Sequence, residues 1–334
     1  MKAALARGLW PGLLACNIGL TWCLLRLATA ADSAVVQAAS VDSAAWHGFG
    51  AWLAPVSMVE QVPWVSLVPL LTLFAHLLLT GLALRLTGAA QRFTRLDWRD
   101  LGLTGANELI VLAGGNWLAL LLLQSHATGA SAAAHLSTLP AMAAVPLLPD
   151  WLPGWLVLTG SVLLLDFAAY WLHRASHTWQ LLWIFHAWHH TCDELKGVNA
   201  FRFHLFDRIK TELPLIALVW VLHLPLEALL WYLSLANAQN INSHSALARH
   251  EKMPWQWLLN TPWLHYWHHS YVKAEQKHNY GSILSVWDSL FGTRLDPPLT
   301  QQPLRLGTGD VQPDTVLACL LYPLRRLLAG RDWI

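Results

Sequence analysis

LPLIALVWVLHLPLEALLWYLSLANAQ, residues 213–239, can be folded in two ways. Run straight, it crosses a bilayer once and leaves its two flanks on opposite membrane faces. Its centre, however, holds His223, Pro225 and Glu227, which suit a turn far better than a membrane midpoint. The flanks decide between the two readings. HAWHH (186–190) precedes the run and HYWHH (265–269) follows it, with histidines at i, i+3 and i+4 in both. Two such segments act together only on the same side, so the run is read as a tight helical hairpin that dips in and returns.

The rest of the chain reads as a membrane protein. Hydrophobic residues make up 55% of the 334 and charged residues 12%, about half the usual charged share of a globular domain. Tryptophan, at 21 residues, is the side chain expected at membrane–water boundaries. A net charge of +1 with no basic block argues against nucleic acid as a partner. Cys16, Cys23, Cys192 and Cys319 show no CxxC spacing, and Cys16 and Cys23, which lie in an apolar run, read as packed thiols rather than a disulfide or zinc knot. An apolar run at 8–30 is either a first span or a signal ending in ATAADS. Further spans are expected in the run that begins at Trp64, at 108–125 and from about Trp151 to Tyr170. Arg85, Arg92, Arg95 and Arg99 form a basic loop that should stay cytoplasmic. Counting spans places every histidine box on that same face, whichever way the first run is read. The expected fold is therefore all-α: an integral-membrane helical bundle with its histidine boxes on the cytoplasmic face. Its parts are an N-terminal transmembrane region at 1–150, a di-metal domain at 151–300 and a tail at 301–334. The tail's LACLLYPLRRLLAG (317–330) is expected to lie at the interface with Arg325 and Arg326 snorkelling.

DFAAYWLHRASH (166–177) supplies His173 and His177, four apart and so on one helical face. His186, His189 and His190 are expected on a second short helix, and His265, His268 and His269 on a third. His204 and His244 lie between the boxes. These are too many ligands for one ion, and the count suits two ions sharing a site. Spacing leaves iron, copper and zinc open. Asp166, Tyr170, Asp207, Asn279 and Asp288 are candidates to orient the ligands from outside. His47, His76, His126, His135 and His223 are read as packed or interfacial, His250 is not assigned as a ligand, and His278 is read as an outer or entrance residue.

DFAAYWLHRASH, LLWIFHAWHH, AFRFHLFD, TPWLHYWHHS and the closing NYG…WDSLFGT resemble the fatty acid hydroxylase/sterol desaturase superfamily of membrane di-iron proteins, over about residues 160–295. The resemblance implies a cytoplasmic histidine-rich helical cap on the membrane bundle. It also implies two iron ions held by His173, His177, His186, His189, His190, His244, His265, His268 and His269, with zinc as a substitute. His204 falls where many members have His-Pro, but Leu205 replaces the proline. The implied activity is O2-dependent hydroxylation of a lipid C–H bond. The alternatives are desaturation by the same lineage or, in a different class, a histidine-rich metal transporter or sensor. There is no GxGxxG after a strand and no CxxCH, so two electrons per turnover must come from an external carrier with an NAD(P)H-dependent reductase. Arg202, Arg208, Lys210, Arg249, Lys252, Lys273 and Lys277 offer it a basic surface, although positive-inside bias explains them equally well. Trp183, Phe185, Trp188, Tyr266 and Trp267 are candidates to line a lipid route or to form an aromatic belt. A bacterial inner membrane is expected rather than endoplasmic reticulum.

Overall fold

The computed structural model describes residues 9–27, 68–88, 92–110, 151–222, 224–246, 252–301, 303 and 305–330. The expected span at 108–125 and the loop at 126–149 lie outside the described residues, apart from 108–110. So do His47, His126, His135, His223, Arg249 and His250.

Among the described residues the architecture is all-helical. Residues 9–27 form α1, Val68–Thr87 α2, 95–110 α3, Gly154–Thr178 α4 and Gln180–His186 α5. Leu205–Val221 and Leu226–His244 are α6 and α7, and Pro262–His268 is α8. Short helices follow at Lys273–Gln276, Val286–Leu290, Val316–Leu320 and Tyr322–Leu328.

The helices α2 and α4 are long and apolar enough to cross a membrane. At 25 residues, α4 extends about 37 Å, more than the ~30 Å of hydrocarbon. Only 33% of the most apolar stretch of α2 and 28% of that of α4 is buried, so most of each surface is free to face lipid rather than a protein core. The helix α4 starts behind Pro153, whose carbonyl accepts from Leu156 and Val157 N–H. It ends where Trp179 turns to extended backbone.

The 213–239 run folds as a hairpin. Its first arm ends at Val221 and its second starts at Leu226, capped by Pro225 at φ −58° and ψ 130°. Pro214 stays inside α6, so the break falls at the second proline. The helix α7 packs against both spans, α2 and α4. Leu165 and Ala169 of α4, Leu215 of α6, and Ala228, Tyr232 and Ala236 of α7 form the apolar core below the histidines, closed by Ile283.

Asp166, buried in the middle of α4, explains how the 280–284 loop is attached. Its carboxylate accepts from Ile283 N–H (3.0 Å), Leu284 N–H (3.2 Å) and the Trp287 indole N–H (2.8 Å). Two turns further along the same helix His173 Nδ1 donates to Tyr280 O at 2.8 Å. Gly281 sits between these two anchors. A Cβ there would stand 2.4 Å from Leu284 O and 3.1 Å from an Asp288 carboxylate oxygen. Gly281→Ala is therefore expected to destabilise the fold by ~1–3 kcal/mol, the usual cost of overpacking. Chemical denaturation in detergent checks this, and an unchanged midpoint would contradict it.

Several expected surface residues are interior. Arg202, 2% exposed, faces Asp100 at 3.5 Å and donates to Cys192 Sγ at 3.1 Å. Arg208 is paired with Glu108 at 2.6 Å and with Glu212. Lys210 is paired with Asp207 at 2.8 Å. These three do not belong to a docking surface, because acidic partners hold them inside; Lys273 and Lys277 are exposed. Arg326 does not snorkel either. It is buried, ion-paired with Asp310, and lies over the Trp183 ring.

Candidate metal centre

The fold brings nine of the ten expected histidines into two adjoining groups. His173, His177, His186, His190 and His268 form one, and His189, His244, His265 and His269 the other. Within each group one ring nitrogen per residue lies within 4.8 Å of all the others. All nine are buried except His173, which is partly so. The groups touch where His190 and His269 stack, with ring centroids 4.2 Å apart and planes 16° from parallel.

Helical geometry explains how each box divides. Residues i and i+4 lie about 40° apart around a helix, whereas i+3 falls about 60° to the other side. In the third box, accordingly, His265 and His269 enter one group and His268 the other. The second box divides the same way, with His186 and His190 together and His189 opposite. There the expected single helix is not found. The helix α5 stops at His186, and His189 and His190 occupy a separate one-turn 3-10 helix, His189–Thr191.

The tautomers are fixed from outside. His173 Nδ1 donates to Tyr280 O, His268 Nδ1 to His278 O (2.7 Å) and His244 Nδ1 to Asn240 O (2.9 Å). His186 Nδ1 donates to the Asp207 carboxylate at 3.0 Å. A ring that carries its proton on Nδ1 presents a bare lone pair at Nε2. The Nε2 atoms of His173, His177, His186 and His268 are buried without partners, as are both nitrogens of His190 and Nδ1 of His189, His265 and His269. Each unpaired buried polar atom costs about 1–3 kcal/mol, and a cation in each group would satisfy many at once. In the second group His265 Nε2 lies 3.3 Å from His244 Nε2 and 3.1 Å from His269 Nε2, a convergence suited to a shared cation. The residues present thus fit a two-metal site.

The other expected residues fall at graded distances from it. Asp207 meets a group histidine directly. Asp288 accepts from Tyr280 and Gly281 N–H, both at 2.8 Å, and so sets the carbonyl that holds His173. Burial pushes its carboxyl up to about 6 against four hydrogen-bonding and charge interactions that favour the anion. Asn279, at φ 60°, donates to Leu264 O and Leu295 O, tying the loop to α8. Tyr170 pairs with Thr293 at 2.8 Å and, like Asp166, holds loop rather than histidine. His204 stands apart. Its Nε2 faces Leu320 O at 3.2 Å and its Nδ1 accepts from Phe206 N–H, so both ring nitrogens already have main-chain partners. His76 pairs with Asn242, and His278 serves through its carbonyl.

A cavity of about 100 Å³ reaches His173, His186, His189 and His265, with Phe203 and Tyr232 as its aromatic walls. None of the five aromatics expected on a lipid route lines it. Trp183, Trp188 and Trp267 are instead buried packing. Asn237 and Asn240, which also line it, were not singled out from sequence. With His244 they form an i, i+3, i+7 polar stripe on α7, a signal present in LANAQNINSH.

Burial lowers the pKa of His186, His189, His190, His265 and His269, and that of His268 to about 3. The folded protein therefore keeps these rings neutral where the unfolded chain, with histidine pKa values near 6.5, takes up protons. Stability is unaffected well above pH 6.5. It falls as pH drops below that value, by about 1.4 kcal/mol per pH unit for each such ring until its folded pKa is reached. Unfolding midpoints measured in detergent from pH 8 to pH 5 should stay level and then fall steeply. A flat profile would rule out neutral buried rings.

The chain matches the Fatty acid hydroxylase family over residues 158–293. It is similar to ornithine lipid hydroxylase OlsE of Rhizobium tropici, 36% identical over 157 residues, which cover 45% of each chain. It is also similar to alkylglycerol monooxygenase of Xenopus tropicalis, 26% identical over 42% of this chain and 30% of that protein. The human alkylglycerol monooxygenase is 27% identical over 38% and 28%. The chain thus spans less than half the length of the curated relatives it matches. No solved structure matches it. The matched stretch, residues 158–293, is the one that carries every grouped histidine.

Proposed function

We propose that this chain is a membrane-bound lipid hydroxylase that works with two iron ions, O2 and two electrons from an external carrier. The observation that carries this reading is the sorting of nine buried or partly buried imidazoles into adjoining groups of five and four. An outer nitrogen is fastened in His173, His186, His244 and His268, and every ring except that of His244 has a bare nitrogen. His173, His177, His186, His190 and His268 would hold one ion and His189, His244, His265 and His269 the other. Five imidazoles exceed the four that tetrahedral zinc takes and suit an iron ion. Two irons bound there would supply O2 activation: one oxygen atom enters a C–H bond and the other leaves as water, with two electrons and two protons consumed.

The protein's own residues do the positioning. Asp207 and the carbonyls of Tyr280, His278 and Asn240 keep the rings turned inward. The cavity beside His173, His186, His189 and His265 gives a substrate group access to both ions. The hydroxylase and monooxygenase relatives support a lipid as substrate. The candidate spans support a membrane location, and Arg85, Arg92, Arg95 and Arg99 a cytoplasmic site, in a bacterial inner membrane served by an NAD(P)H-dependent reductase and carrier.

The test is metal analysis of the purified full chain, followed by single turnover with dithionite and isotopically labelled O2 in lipid nanodiscs. Two tightly held irons and one labelled oxygen in a lipid are expected. Loss of two hydrogens without label would make the protein a desaturase. Loosely exchanging zinc and unchanged lipid would refute the oxygenase reading.

A further inference from the structure

The cavity beside the histidines is small and mostly apolar, with a polar part to its wall. At about 100 Å³ it falls below the ~150 Å³ void that accommodates benzene. It has room for a few heavy atoms of a lipid and not for a coiled length of chain. Its floor takes His173 and His186 from one group and His189 and His265 from the other, so the atoms that enter lie against both metal positions. Leu215, Leu233 and Ala236 line one part of its wall. Another part carries Asn237 and Asn240.

Asn237 is 5% exposed, and its side chain makes no hydrogen bond among the described residues. Asn240 gives its main-chain carbonyl to His244 and leaves its side-chain amide without a partner among them. The charged groups nearby are already matched: Lys210 with Asp207, and Arg208 with Glu212 and Glu108. The cavity therefore does not call for an ionic ligand. It calls for a neutral polar one, since a buried amide such as that of Asn237 is nearly always hydrogen-bonded.

Resting on the hydroxylase reading, we infer that this cavity takes the polar-linked end of a lipid. The carbon oxidised lies within a few bonds of an ester, amide or ether oxygen that accepts from Asn237 and Asn240. A mid-chain or terminal carbon would fill the same space with methylenes and leave both amides unpaired. Asn237 is thus a positioning residue that selects which carbon reaches the metals.

The experiment uses the iron-loaded full chain in nanodiscs with three probes of equal chain length: an N-acyl amino acid lipid, a 1-O-alkylglycerol and a plain alkane. Labelled oxygen is located by tandem mass spectrometry. Label beside the amide or ether linkage and none in the alkane are expected, and which probe is oxidised identifies the linkage. Asn237→Leu is expected to lower kcat/KM by about tenfold, the effect of an unmet hydrogen bond in a specificity site, and to scatter the label along the chain. Iron content stays at two per chain. Asn240→Leu, which keeps the carbonyl that holds His244, should do the same and guards against misfolding of the first variant. Label confined to mid-chain or terminal carbons in the unaltered protein overturns the inference, as does an unchanged isomer pattern in both variants. No label in any lipid of the iron-loaded protein refutes the hydroxylase reading itself, and this inference with it.

Discussion

His268→Ala is expected to leave the protein with one iron or fewer and to reduce lipid oxidation by about 10³-fold or more. His268 is the residue of the third box that crosses to the first group. Its ring centroid lies 4.6 Å from those of His173 and His177 and 4.7 Å from that of His190. Its Nδ1 is committed to His278 O, and its buried Nε2 has no partner. Loss of an outer partner of a metal ligand typically costs 10–100-fold in affinity or activity, and loss of the ligand itself should cost more. His204→Ala provides the contrast. With both nitrogens engaged by main chain away from the groups, it should keep both irons. Metal analysis beside product yield decides, and a His268→Ala variant that kept two irons and full turnover would mean the five-histidine group is not a metal site.

That crossing residue also marks where sequence reading stopped. The boxes, their number and their need to meet were visible in the chain, and that need, with Pro225 marking a place to turn, gave the hairpin. The partition of each box between two groups was open to inspection too, since i+3 and i+4 diverge by about 100° on any helix. Treating each box as one set of ligands on one short helix left it undrawn. The 3-10 turn at His189–Thr191 left no comparable sign, because nothing in WHHTC forbids a further α-helical turn. The orienting carbonyls of Tyr280, His278 and Asn240 could not be read at all, since every residue owns a carbonyl and only tertiary position selects three of them. Arg202 and Arg208 were misplaced for a related reason. Their partners Asp100 and Glu108 lie about a hundred residues away, and local sequence shows two exposed-looking cations.

Asp207→Ala is expected to weaken the five-histidine group and to destabilise the fold, and the two effects can be separated. One carboxylate oxygen accepts from His186 Nδ1 at 3.0 Å, and the other pairs with Lys210 at 2.8 Å. Burial opposes the charge, yet Lys210 and His186 more than offset it and hold the carboxyl well below the usual carboxylate range. Removing it frees the His186 ring to turn, which should lower metal affinity about 10–100-fold. It also leaves the Lys210 ammonium, 16% exposed, without its ion-pair partner and with the Ser176 hydroxyl as a remaining acceptor, at a cost of about 3–5 kcal/mol. Asp207→Leu combined with Lys210→Met removes the whole pair, and apolar replacement of a buried pair is often neutral. The double variant should therefore recover most of the stability lost in Asp207→Ala while its metal affinity stays low, because nothing in it accepts from His186 Nδ1. Denaturation midpoints and competitive metal titration on the same samples measure both. Recovery of affinity together with stability would show that Asp207 serves the fold alone and that the carboxylate–histidine contact does not tune the metal.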